Sequence, residues 1–179
     1  MKAQGEKELI QQVLQGDTSA FALLVDAHKD RVFNLVFRVI RQRAWAEELC
    51  QDVFIKVYQQ LAQFKHKARF STWLFRIAYN TAISALRKHQ LSVHSINESH
   101  SYVEEDNQGE KEALISLLEK AIAQLSTEEA ALITLCYTEE KTIEEIAQIT
   151  GLSKANVKVK LHRVRVKLKM IIERSTNKN

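Results

Sequence analysis

The chain has 179 residues, no proline, four glycines and a formal net charge of +4. So few turn breakers exclude β-sandwiches and nucleotide-binding α/β folds, which consume glycine at their turns. Hydrophobic residues at 45% exclude global disorder, leaving an all-α chain of one large or two small helical domains.

A first helix is predicted over 6–15, with Leu9, Ile10, Val13 and Leu14 on one stripe and Gly16 as its left-handed stop. Asp17 or Thr18 caps a second helix over 19–41, which carries Phe21, Leu24, Val25, Val32, Leu35, Val36, Val39 and Ile40. A third helix spans 45–63 and a fourth 71–89, so residues 1–90 form a four-helix bundle. Residues 91–112 are rich in Ser, Asn, His and acids and show no sustained period, the pattern of an acidic flexible linker.

Residues 113–179 return to helical periodicity. Leu114, Leu117, Leu118, Ala121 and Ile122 share one face. Ser126 with Glu129, and Thr142 with Glu145, have capping-box spacing. The first box opens a helix through Cys136, and the second a short helix to about Gln148. Thr150-Gly151-Leu152 forms a turn, and Ser153 caps a long last helix.

A short capped helix, a Gly turn and a second helix make a helix-turn-helix. In its second helix Val157, Leu161, Val164 and Leu168 form a core stripe, while Ala155, Lys158, Val159, His162, Arg163 and Val166 point outward. Lys158 and Arg163 can donate to guanine, and Val159 can pack on a thymine methyl. Asn156, Lys160, Arg165 and Lys167 flank this arc and suit phosphates. From Lys154 to Lys178 the only acid is Glu173, a basic bias that also fits an ordinary solvated helix.

The helix at 45–63 has an apolar side (Leu49, Cys50, Val53, Phe54, Val57, Leu61) and a polar side that includes Glu48, Gln51, Asp52 and one aliphatic, Ile55. Such a face suits either solvent or a partner helix. Next comes a basic loop, Lys65-His66-Lys67-Ala68-Arg69, and a helix dense in aromatics. Trp73, Arg76, Asn80, Ser84 and Arg87 cluster on one side of it. Aromatic and Arg groups beside a cationic loop suit unstacked single-stranded bases. Phe75 and Tyr79, opposite, are expected in the core.

Cys50 and Cys136 read as buried thiols in a reducing compartment. No CxxC, HxxxH or HExxH spacing occurs, so neither metal nor cofactor is expected. No secretory-type apolar core opens the chain and no apolar run reaches about 18 residues, so no membrane insertion is expected. With no nucleophile–base pair or phosphate-binding Gly loop, the chain reads as a non-enzyme.

The segments AEELCQDVFIKVYQQLAQF and FSTWLFRIAYNTA resemble regions 2.2 and 2.3 of extracytoplasmic-function sigma factors, and TIEEIAQITGLSKANVKVKLHRVRVKLK is similar to their region 4.2. The likeness covers roughly residues 6–172. It implies two helical domains: sigma region 2 over 1–90 and region 4 over 113–179. It implies that Glu48, Gln51, Asp52 and Ile55 meet the β′ clamp helices of core RNA polymerase, and that region 4 sits on the β flap. Lys65, His66, Lys67, Arg69, Trp73, Arg76, Asn80, Ser84 and Arg87 would read and open the −10 element as single strands. Ala155, Asn156, Lys158, Val159, Lys160, His162, Arg163 and Arg165 would read the −35 duplex. The family also implies an anti-sigma protein, a monomeric free state, and a cytoplasmic location or one at the inner membrane while so held. The Lys65–Arg69 loop is more basic than the family's usual loop, which leaves the −10 base preference open. A stand-alone dimeric regulator and a protein-binding adaptor are the rival readings.

Overall fold

The computed structural model describes residues 3–92 and 109–176, and every regular element among them is helical. The order is α1 (Ala3–Leu14), α2 (Thr18–Ile40), α3 (Arg43–Gln60) with a 3₁₀ turn Leu61–Gln63, and α4 (Phe70–Ser92). After it come α5 (Gly109–Ala123), α6 (Thr127–Ile133), a π turn Thr134–Thr138, α7 (Ile143–Thr150) and α8 (Lys154–Thr176).

The predicted signals act where they were expected. Gly16 turns at φ +98°, and the Asp17 carboxylate accepts from the Ser19 and Ala20 N–H groups at 2.8 and 3.3 Å to start α2. In α2 every third or fourth residue is buried, with Val32, Leu35, Val36 and Val39 fully so. α3 packs on it through Ala46, Leu49, Val53 and Val57. α4 is buried on two sides, through Leu74, Phe75, Ala78, Tyr79 and Ala82. This suits a helix with neighbours on both flanks, and α4 touches α2, α3 and α7.

Four expectations need correction. Leu14 and Leu118 lie 52% and 43% exposed, outside the stripes assigned to them, because they fall at the edges of their helical faces. Cys50 and Cys136 are half-buried rather than enclosed. Leu168 is only partly buried at the core margin, since α8 runs on beyond the domain it packs against. The helix opened by Ser126 leaves α geometry after Ile133 and widens into the π turn. Residues 93–108 of the predicted linker lie outside the described residues, while α4 and α5 reach into its two ends.

Both capping boxes form. The Ser126 hydroxyl accepts from the Glu129 N–H at 3.3 Å while the Glu129 carboxylate accepts from the Ser126 N–H at 2.8 Å. Ser126→Ala is expected to cost about 1 kcal/mol, the usual value of an N-cap. A lower urea midpoint with an unchanged slope would show it, and an unchanged midpoint would mean that packing alone holds α6.

The two halves share one hydrophobic core. α6 and the π turn lie against α2, and α7 lies against α4.

Candidate nucleic-acid interface

On α3, Glu48, Gln51, Asp52 and Ile55 are all exposed, at the i, i+3, i+4, i+7 spacing that builds one helical face. Ile55 is 54% exposed. Buried Leu49, Val53 and Val57 hold this face rigidly from behind. Tyr58, three residues on, adds an aromatic 44% exposed, packed edge-on against Phe21 with ring centroids 4.9 Å apart. The sequence reading passed over Tyr58, although its spacing from Ile55 was the available signal.

The loop before α4 is pinned by aromatics at its base. Phe64 and Phe70 are buried with ring centroids 5.6 Å apart, and the Trp73 ring packs against both at 5.2 and 5.8 Å. His66 adopts a left-handed φ of +53° with its ring 4.5 Å from Phe64. That anchoring leaves Lys65, His66, Lys67 and Arg69 exposed. Arg76, Asn80, Ser84 and Arg87 continue as an exposed line along α4, whereas Trp73 is half-buried. Phe75 and Tyr79 are core, as expected, and burial pushes the Tyr79 hydroxyl above its ordinary pKa.

The helix-turn-helix is built by its caps. Thr142 caps α7 by accepting from the Glu145 N–H at 3.2 Å. Gly151 turns at φ +75°, and its N–H donates to the Ala147 carbonyl. The Ser153 hydroxyl accepts from the Asn156 N–H at 3.2 Å to start α8. Val157, Leu161 and Val164 are buried, and Ala155, Asn156, Lys158, Val159, His162, Arg163 and Val166 are exposed on the other side.

The basic residues at the margins of that arc are engaged within the protein, which the sequence reading missed. Lys160 pairs with Glu128 at 3.0 Å and Lys167 with Glu129 at 2.7 Å. Arg165 donates to the Tyr137 hydroxyl at 2.6 Å, its guanidinium 5.6 Å over the ring. Lys154 pairs with Glu144 at 2.9 Å, a hydrogen bond that holds the Glu144 carboxyl below its ordinary pKa. Burial raises the Glu129 carboxyl, but Lys167 and the Ser126 N–H outweigh it and leave it lowered. The α6 and α7 acids thus fix the flanks of α8, while Lys158, His162 and Arg163 face outward between them.

Among the described residues no cluster of His, Cys, Asp and Glu is placed to hold a metal ion, and no helix is long and apolar enough to cross a membrane. The chemistry on display is recognition: one acidic-aliphatic helix face, one cationic loop beside an aromatic-rich helix, and one basic helix with an open arc.

Two family models match in the same order. Sigma-70 region 2 covers residues 24–91, and Sigma-70, region 4 covers residues 115–168. The ECF RNA polymerase sigma factor SigW of Bacillus subtilis (strain 168) is 31% identical over 176 residues, covering 91% of this chain and 94% of that protein. The ECF RNA polymerase sigma-E factor of Escherichia coli (strain K12) is 31% identical over 173 residues, covering 89% and 90%. Among solved structures, the sigma factor RpoE in complex with the anti-sigma factor NepR from Bartonella quintana superposes with a TM-score of 0.73 at 21% identity, over 86% of this chain and 96% of that one. CnrH in complex with the cytosolic domain of CnrY gives 0.66 at 22% identity, over 94% and 97%. With both halves matching in order, and with sigma factors aligning along nearly its whole length, the chain belongs to the extracytoplasmic-function (ECF) group of sigma-70 RNA polymerase sigma factors.

Proposed function

We propose that the chain's three recognition surfaces divide the work of promoter-directed initiation. The exposed α3 face (Glu48, Gln51, Asp52, Ile55) docks on the β′ clamp helices of core polymerase, and region 4 rests on the β flap. The Lys65–Arg69 loop and the Trp73, Arg76, Asn80, Ser84 and Arg87 side of α4 hold the opened −10 strand. The α8 arc reads the −35 duplex through Lys158, Val159, His162 and Arg163, beside Ala155 and Asn156. Lys160 and Arg165 act more as braces for α8 than as independent phosphate contacts, because each already has a partner.

The observation that carries this reading is the split of α8 into a buried stripe and an open, acid-free arc on a helix-turn-helix. Region 2 spans residues 1–90 and region 4 residues 113–179 in this division, with a linker between. A sigma factor works by binding rather than by catalysis, so polymerase supplies most of the affinity and the chain supplies promoter choice. The free protein is monomeric and cytoplasmic, and an anti-sigma protein restrains it. The solved relatives with NepR and with the cytosolic domain of CnrY support that partner class.

Run-off transcription with sigma-free core polymerase and a pool of promoter fragments tests the reading. Discrete starts that appear only with this chain are expected, and Asn80→Ala should weaken opening without abolishing core binding. Absence of both initiation and complex formation with core from the source organism would overturn it.

A further inference from the structure

The contact between the two halves is made of unusual parts. Glu139, in the loop after the π turn, has a side chain only 1% exposed, and Arg31 of α2 reaches the same carboxylate oxygen with Nε at 2.7 Å and a terminal nitrogen at 2.6 Å. These partners are 108 residues apart. Glu140 then takes a left-handed φ of +49°, a strained choice for a residue with a Cβ, and the chain turns so that Lys141 points inward. The Lys141 side chain is 5% exposed, donates to the Ser71 hydroxyl of α4 at 2.6 Å and lies 5.2 Å over the Phe75 ring. The Thr72 hydroxyl of α4 donates to Glu145 of α7 at 2.9 Å. Further along α2, Arg38 pairs with Glu119 at 2.7 Å. Arg41 donates to the Ala123 carbonyl at 2.9 Å and to the Leu125 carbonyl, closing the end of α5.

What this contact lies beside matters more than its strength. Asn80, Ser84 and Arg87 of α4 share a cleft with Glu128, Leu132 and Thr150 of the helix-turn-helix half. At the other end of α4, Arg76 and Trp73 share a second cleft with Gln148 of α7. The side of α4 assigned to the −10 strand keeps its exposure to solvent but is flanked by the helix-turn-helix half at both clefts, while the α8 arc stays open. Two promoter elements lie apart along a duplex, so one chain cannot engage both with its halves clasped.

We propose that the free chain is self-inhibited by a latch of Arg31, Ser71 and Thr72 in region 2 closing on Glu139, Lys141 and Glu145 in region 4, which must open before α4 can take the −10 strand. The DNA part of this statement rests on the assignment of α4 given above. An ion pair with one enclosed partner suits a latch, and here the Glu139 carboxylate is enclosed while the Arg31 side chain stays 43% exposed. Desolvation of Glu139 offsets much of the attraction, so the intact pair adds little net stability, yet removing Arg31 leaves a buried carboxylate without its counterion and is unfavourable. The closed form is thus specific in register but shallow in energy, and rehydration of its charges favours release once core polymerase pulls the halves apart.

Small-angle scattering on the full-length free protein tests the latch. The wild type is expected at a radius of gyration of about 16 Å, the value for a compact chain of this size. Glu139→Arg and Arg31→Glu, each placing like charges together, are expected to expand it to roughly 20 Å or more at unchanged helicity. The double variant Arg31→Glu with Glu139→Arg should return to the compact value, an outcome that misfolding of either single variant cannot mimic. In transcription, Glu139→Arg should reach half-saturation of core at an about tenfold lower concentration, because a larger fraction is competent. An expanded wild type, single variants that stay compact, or a double variant that stays open would each overturn the latch. A compact, charge-switchable chain that starts no transcription would instead overturn the proposed division of promoter work and leave the latch standing.

Discussion

Phe75→Ala is expected to lower the stability of the chain by about 3–5 kcal/mol, the range for emptying a fully buried aromatic site. Phe75 has no exposed surface and sits on the length of α4 that is packed on two sides. Its ring also carries two cations, the Arg31 guanidinium at 5.5 Å and the Lys141 ammonium at 5.2 Å. The truncation removes the apolar contacts and the π face together, so little can relax to fill the space. A loss of this size is a large part of the stability of an ordinary domain, about 5–15 kcal/mol. Urea unfolding followed by circular dichroism should show the midpoint falling sharply. Phe75→Leu, which keeps most of the volume, should recover more than half of the loss. A cost below about 1 kcal/mol for Phe75→Ala would mean that α4 is far less tightly held than its burial indicates.

Lys158→Ala combined with Arg163→Ala should leave stability almost unchanged and sharply reduce −35-dependent initiation. Both residues are exposed on α8, and surface changes of this kind usually stay within about 0.5 kcal/mol. A good base contact contributes about 1–3 kcal/mol of discrimination, so losing two should reduce promoter-specific transcription on the order of 100-fold. Competition between promoter fragments with intact and scrambled −35 sequences gives the sharper measurement. The double variant should no longer distinguish them, while its complex with core polymerase forms as before. Retained discrimination would move base reading to Val159 and His162, or off α8 altogether.

Much of this architecture was legible in the sequence because the signals were local. Gly16, Asp17, Ser126, Thr142, Gly151 and Ser153 act within a few residues of themselves, so their spacing alone set the helix starts and stops. The same holds for the α3 face and the α8 stripe, where 3.6-residue periodicity separates inside from outside. The docking of the halves was not legible. Arg31, Glu139 and Lys141 look like ordinary surface charges, and their partners are distant in sequence. A charged residue is read as solvated until its counterion is known. Lys160, Arg165 and Lys167 were assigned to phosphates for the same reason, because Glu128, Tyr137 and Glu129 lie 28 to 38 residues away. The π turn at Thr134–Thr138 has no side-chain pattern of its own that would separate it from a continuing α-helix.

The way α8 is held has a consequence for how such a protein diversifies. Its buried stripe and braced flanks keep the helix in place, so Ala155, Lys158, Val159, His162 and Arg163 are left without a duty to the fold. On the proposed reading these positions form an interchangeable cassette. Substitutions there can alter which −35 sequence is chosen while folding and polymerase docking stay constant. Transplanting the corresponding side chains from another ECF sigma factor onto this α8 should produce an orthogonal regulator, one that shares the cell's polymerase but ignores its parent's promoters.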